Sequence, residues 1–216
     1  GESYTVRETR PPAGYKLLDD ALEFTVEKDG AITYGDLPEG WAAGEDGYTF
    51  TAKDAPIEFA LEKVDEQGRA LDGATFTIEG TFVDGTTARK NISGNTSLST
   101  ELVAGNAYKV IEVKAPDGYT MLEDAFEFTV DANGSATVAT EADGYTLSSE
   151  GGVITVKATD AQTELDIAKV STEGASLGGA TFEVAGTFAD GAESPIVLTT
   201  GADGKVDASQ LRGKLI

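Results

Sequence analysis

Apolar residues recur at every second position along nearly the whole chain, and no stretch of a dozen residues carries the 3.6-residue period of a helix. Tyr4-Val6-Glu8, Leu22-Phe24-Val26, Phe59-Leu61-Lys63, Phe76-Ile78, Tyr108-Val110-Glu112, Phe126-Phe128-Val130, Ile154-Val156-Ala158, Leu165-Ile167-Lys169 and Phe182-Val184 each fall on one face of an extended strand. Thr, Lys and Glu fill the opposite faces. Asp-Gly pairs beginning at positions 29, 46, 72, 84, 117, 143, 190 and 203, with Asn-Gly at 133, supply the tight turns between them. Many short strands joined by tight turns predict an all-β chain built as a sandwich.

The sequence also repeats. Leu71-Asp72-Gly73-Ala74-Thr75-Phe76 returns as Leu177-Gly178-Gly179-Ala180-Thr181-Phe182, and Gly80-Thr81-Phe82-Val83-Asp84-Gly85 as Gly186-Thr187-Phe188-Ala189-Asp190-Gly191, both 106 residues on. Tyr4-Thr5-Val6-Arg7-Glu8 with Pro12-Ala13-Gly14-Tyr15 returns 104 residues on, as Tyr108-Lys109-Val110-Ile111-Glu112 with Pro116-Asp117-Gly118-Tyr119. The first pair belongs to the front of a module and the second to its back. The predicted organisation is therefore a back half over residues 1–55, a whole module over 56–162 and a front half over 163–216. Joining the tail Lys214-Leu215-Ile216 to the head Gly1-Glu2-Ser3-Tyr4 restores a module, as expected for about one two-module unit of a tandem array. Ends that fall mid-domain by accident of cleavage are the alternative.

Composition removes most chemistry. With 216 residues, 40% hydrophobic and 25% charged, a packed core is expected. His and Cys both count zero, which excludes Ser-His-Asp and Cys-His catalysis, imidazole or thiolate metal sites, and disulfides. Sixteen Lys and Arg against 38 Asp and Glu leave a net charge of −22, which repels nucleic acid and anionic lipid. No apolar run reaches the roughly 18 residues of a membrane span. Neither a cofactor nor a metal is expected: Asp131-Ala132-Asn133-Gly134-Ser135 lacks calcium-loop spacing and reads as a hairpin turn.

What remains are charged residues in phase with apolar ones. Lys63 follows Phe59 and Leu61, and Lys169 follows Leu165 and Ile167. Glu112 and Glu8 are in phase with Tyr108-Val110 and Tyr4-Val6, while Asp160 and Asp54 continue the faces of Ile154-Val156-Ala158 and Tyr48-Phe50-Ala52. Periodicity alone leaves two readings. Each of these residues could be the first exposed position of a strand end, because an unpaired buried charge costs several kcal/mol. Alternatively, Lys, Glu and Asp form a buried triad in each module. Burial favours the uncharged forms of amines and carboxylic acids, and an amine held against a carboxyl carbon beside a second, proton-shuttling carboxyl is the arrangement that makes an amide.

Leu61-Glu62-Lys63-Val64-Asp65, Leu71-Asp72-Gly73-Ala74-Thr75-Phe76 and Tyr108-Lys109-Val110-Ile111-Glu112 followed by Ala115-Pro116-Asp117-Gly118-Tyr119 together resemble the collagen-adhesin B-type repeat. That family also supplies the prealbumin-like domains of Gram-positive pilins. The resemblance covers the whole chain, as one complete domain and two complementary halves. It implies immunoglobulin-like, prealbumin-like β-sandwich modules of a secreted, wall-anchored surface protein that crosslink themselves through Lys-Asn or Lys-Asp isopeptide bonds. By position it makes Lys63 the amine, Asp160 the acyl partner and Glu112 the catalyst. In the other module Lys169 would join Asp54 under Glu8, once Glu8 and Asp54 come from the next copy. Lys63 precedes Glu112 by 49 residues and Asp160 by 97; Lys169 precedes the next copy's Glu8 by 55 and its Asp54 by 101. Asn is the commoner acceptor in the family, and Ala158 and Ala52 occupy the neighbouring inward positions.

The function expected is a structural stalk or fibre repeat with no turnover activity. Its partners would be neighbouring repeats, with a host surface or matrix protein reached through a distal domain, and neither nucleic acid nor membrane insertion is involved. The competing reading is a module that itself binds a host matrix protein through a sheet edge.

Overall fold

The computed structural model describes residues 1–216, the surroundings of Gly151 excepted, and no α-helix occurs among the described residues. The strands follow the alternation. The head carries β1 (Glu2–Val6), β2 (Leu22–Val26), β3 (Ile32–Thr33), β4 (Trp41–Ala43) and β5 (Phe50–Ala52). The middle carries β6 (Glu58–Asp65), β7 (Thr75–Glu79), β8 (Ala88–Ser93), β9 (Thr96–Ser99), β10 (Ala107–Lys114), β11 (Phe126–Val130), β12 (Ala136–Thr140), β13 (Tyr145–Ser148) and β14 (Val153–Asp160). The tail carries β15 (Thr181–Val184) and β16 (Ile196–Thr199).

The middle strands make a two-sheet sandwich. One sheet has the order β12-β11-β10-β7-β8 and the other β13-β14-β6-β9. Both turn their apolar faces inward onto one core that holds Phe59, Leu61, Phe76, Ile78, Tyr108, Val110, Phe126, Phe128, Ile154 and Val156. Phe59 of one sheet stacks on Phe128 of the other at 5.9 Å, and Phe128 stacks on Tyr108 at 5.5 Å. The strand that opens this module, β6, lies parallel to the strand that closes it, β14, over eight residue pairs from Val153↔Glu58 to Asp160↔Asp65.

Head and tail are smaller sheets. β1-β2-β3 and β4-β5 form the head, and β15-β16 the tail. The tail has its own small core of Leu198, Val206 and Leu211. Predicted strand Leu165-Ile167-Lys169 does not form: only single bridges at Ala168↔Lys205 and Val170↔Ser176 occur there. The physical reason is pairing. The matching strand β6 is held by β14 on one side and β9 on the other, whereas residues 165–169 have no β14-like neighbour.

Two backbone joints tie the pieces together, and they are alike. At the first, Ile57 N–H donates to the Gly14 carbonyl and Lys16 N–H to the Ala55 carbonyl, both at 2.9 Å, while Thr100 N–H donates to Ile57 at 3.1 Å. At the second, Thr163 N–H donates to Gly118 and Thr120 N–H to Ala161, both at 2.9 Å, while Gly213 N–H donates to Thr163 at 2.8 Å. Gly14 and Gly118 both have φ +87°, and a Cβ on either would land on a backbone carbonyl oxygen, that of Thr100 or of Gly213. The repeated Pro-x-Gly-Tyr element thus makes the same backbone contacts on either side of the middle sandwich.

Candidate functional site

Parallel pairing of β6 and β14 sets Lys63 and Asp160 on the inner face of the same sheet, with Ala158 directly opposite Lys63 in register. Glu112 comes from the facing sheet. It sits on β10 where the ladder to β7 shifts register after Glu112↔Phe76, a bulge that turns the strand at this position. Lys63 Nζ lies 3.2 Å from Glu112 Oε1 and contacts Asp160 Oδ1 more closely still. All three side chains are fully buried. So the strand-end reading fails for these residues, which form the predicted triad.

Burial on this scale leaves the charged ends dependent on one another. Neither Asp160 oxygen, nor Lys63 Nζ, nor Glu112 Oε1 has a hydrogen-bond partner outside the cluster. Glu112 Oε2 is fixed separately by accepting from Leu122 N–H at 2.9 Å, which aims Oε1 at the amine. Burial pushes the Glu112 carboxyl above its usual range, despite the opposing pull of Leu122 N–H and Lys63, and the Asp160 carboxyl rises for the same leading reason. Tyr145 closes one wall; burial, reinforced by Glu112 and Asp160, raises its hydroxyl.

Several contributors had no sequence signal. Asn95 Oδ1 accepts from Lys63 N–H at 3.0 Å while its Nδ2 donates to the Leu71 carbonyl at 2.9 Å, fixing the strand that carries the amine. A Cβ on Gly94 would lie 2.7 Å from Lys63 Cβ, so glycine there leaves room for the lysine stem. The Phe76 ring lies 5.8 Å below Lys63 Nζ. Phe76 reaches the site from the facing sheet and Gly94 and Asn95 from the β8–β9 turn, and periodicity within the strand that carries Lys63 reports on neither.

The second predicted set is only half assembled. Glu8 Oε2 accepts from Leu18 N–H at 3.0 Å, the same contact that Glu112 makes with Leu122. Asp54 lies beside it, and partial burial together with Glu8 raises the Asp54 carboxyl. Lys169 is not with them. It is exposed in the tail, its backbone N–H donating to the Gly204 carbonyl at 2.7 Å, so the expected inward orientation beside Ile167 does not hold in this chain. Tyr4 and Val6, also expected inward, are exposed, and among the described residues β1 pairs with β2 alone, where β10 has β7 on its other edge.

A pair of buried carboxyls around one buried amine can exchange protons and condense. Residues 57–144 match the family model described as SpaA, prealbumin-like fold domain. No curated protein matches the chain. Among solved structures, the C-terminal fragment of the pilus adhesin SpaC from Lactobacillus rhamnosus GG is 25% identical, with 76% of this chain and 77% of that chain covered and a TM-score of 0.43. The same adhesin in its open conformation is 25% identical with a TM-score of 0.42; 76% of this chain aligns, spanning 25% of that one. The major pilin subunit BcpA of Bacillus cereus is 18% identical over 58% of this chain and 35% of its own, with a TM-score of 0.32. The stretch similar to the SpaA prealbumin-like fold domain coincides with most of the middle sandwich, from the start of β6 to the turn before β13.

Proposed function

We propose that this chain is a structural repeat of a Gram-positive pilin- or adhesin-type surface protein, with modules divided at 1–55, 56–162 and 163–216 and the whole module locked by a Lys63–Asp160 isopeptide bond. The single observation that carries this reading is the sealed contact of Lys63 with both Glu112 and Asp160. The prealbumin-like domain at 57–144 and the pilus adhesins and pilin to which the chain is similar support the surface-protein part.

In the reaction, Glu112 takes a proton from the Lys63 ammonium, and the freed amine attacks Cγ of protonated Asp160. Glu112 then returns that proton to the departing hydroxyl and takes the second proton from the nitrogen, ending as the neutral acid. One C–N bond forms, one C–O bond breaks, and one water leaves. The raised Glu112 and Asp160 carboxyls suit these roles, since a neutral acid is an electrophile and a poised one a shuttle. Chemistry ends after one event because the product consumes both reacting groups.

Topology gives the bond its purpose. Force applied to the ends of the module enters at the start of β6 and leaves at the end of β14, which run side by side in parallel. A Lys63–Asp160 bond carries that load directly from one strand to the other and bypasses the residues between. A series of such modules is a stalk outside the cell, with neighbouring repeats as its first partners and a distal domain to meet a host surface.

Intact-mass measurement of the chain and of Glu112→Gln tests the reading. The parent should weigh one water less than its sequence for the Lys63–Asp160 pair, and the variant should carry the full mass. Full mass at that pair in the parent overturns the proposal.

A further inference from the structure

Beside the triad, a buried donor and two buried acceptors stand unmatched. The donor is the Tyr145 hydroxyl, which makes no hydrogen bond although its residue is only 8% exposed. The acceptors are the Asp160 carboxyl oxygens, which have the Lys63 amine as a charged neighbour but no other partner. Polar groups are rarely left buried in this state, and a reaction that uses them is one physical reason for it.

The sheet brings these groups to one place. Tyr145 on β13 pairs with Ala158 on β14, and Ala158 pairs with Lys63 on β6, so the three form one row across the inner face. Asp160 follows Ala158 by two residues on that face, which makes it a diagonal neighbour of Tyr145, within reach of an aromatic side chain. Ala158 contributes only a methyl group between the two longer side chains. The Tyr145 ring is held by Phe126 of the facing sheet, with centroids 5.5 Å apart and planes at 13°. Burial raises the hydroxyl above its ordinary range, and the Glu112 and Asp160 carboxyls raise it further, so it stays an O–H at neutral pH. The one opposing influence is the Glu112 backbone N–H, which nears the phenolic oxygen without hydrogen-bond geometry and leaves the hydroxyl hydrogen free to bond elsewhere.

Amide formation needs such a donor. When an amine adds to a carboxyl carbon, negative charge develops on the oxygen that stays, and a core sealed from solvent has only protein groups to meet it. Lys63 and Glu112 are engaged in the proton transfers. We propose that the Tyr145 hydroxyl donates a hydrogen bond to the Asp160 oxygen that remains on Cγ as the Lys63 amine attacks. This rests on the crosslinking chemistry proposed above and adds a fourth residue to it, an oxyanion donor. Tyr145 neither gives nor takes a proton, so the balance is unchanged: one C–N bond forms, one C–O bond breaks and one water leaves. The contact is made in the tetrahedral state, because that oxygen moves as Cγ ceases to be planar; both groups are therefore unmatched before reaction. The same hydrogen bond then serves the carbonyl oxygen of the finished amide.

Tyr145→Phe keeps the ring on Phe126 and removes the hydroxyl alone. The full chain is made by cell-free translation at a temperature low enough to resolve the parent's reaction, quenched in denaturant at intervals and weighed, so that loss of one water reports the bond with time. Tyr145→Phe should lose that water about 100-fold more slowly than the parent, the usual cost of one oxyanion donor. Guanidinium midpoints of Glu112→Gln with and without Tyr145→Phe, neither of which crosslinks, separate chemistry from folding. Deleting a hydroxyl that bonds to nothing should leave the midpoint unchanged or raise it. A Tyr145→Phe rate within about threefold of the parent overturns the inference, as does a lowered midpoint, which makes the hydroxyl a structural group. In both cases the water missing from the parent leaves the crosslink itself standing. A parent that keeps its full mass overturns the crosslink and this inference together.

Discussion

Replacing Lys63 with Met removes the amine but retains most of its buried stem, and so isolates what the crosslink contributes to stability. The bond would close a loop of 97 residues between Lys63 and Asp160. Chain-entropy arithmetic for a loop of that length gives about 4.7 kcal/mol of unfolded-state freedom removed. For a domain of this size each kcal/mol corresponds to roughly 4–8 °C in Tm, so Lys63→Met should melt about 20–35 °C below the parent. Differential scanning calorimetry reads both transitions, and the mass of the same samples reports whether the parent is crosslinked. A parent that lacks one water yet melts within about 5 °C of the variant would refute the loop argument, since 4.7 kcal/mol cannot hide in that interval.

The same variant has a pH signature. Burial raises both Glu112 and Asp160, and removing Lys63 takes away a charge that lowers them, so the folded state holds protons that the unfolded state releases above its ordinary values of 4.5 and 3.8. Stability in Lys63→Met is therefore fully present at pH 3 to 4 and lost as pH rises through the raised folded values; a denaturant midpoint that is flat from pH 4 to 8 would contradict this. Gly118→Ala places a Cβ against the Gly213 carbonyl at a left-handed φ of +87°, which costs about 1–2 kcal/mol before any clash. Amide exchange at Thr163, which donates to Gly118, should quicken roughly 5–30-fold while the middle core melts unchanged. Tyr108→Phe removes a hydroxyl that accepts from Val103 N–H and donates to Thr81, both at 2.6 Å, and strands two buried backbone groups at a cost of about 1–3 kcal/mol, seen as a lower guanidinium midpoint.

Strand positions and turns were readable because a strand with one buried face must alternate, and Asp-Gly pairs mark the places where the chain reverses. The phase of Lys63, Glu112 and Asp160 with Phe59, Tyr108 and Ile154 made each a candidate for the inner face, but an exposed strand end has the same phase, and only the packed sheets bury all three. Asn95, Gly94 and Tyr145 were not readable, since each acts on the triad from another strand or loop, and no pattern along one strand encodes which residue faces it.

Lys63 and Lys169 mark the division most clearly. Both close the same local pattern, Leu61-Glu62-Lys63 and Ile167-Ala168-Lys169, yet one is sealed in a core and the other meets solvent. Local sequence determined that each stretch can be a strand with a lysine on its apolar face. Whether that face becomes an interior was decided only by the tertiary structure, because burial requires a second sheet across the sandwich and a β14 alongside, and among the described residues 57–160 alone have both.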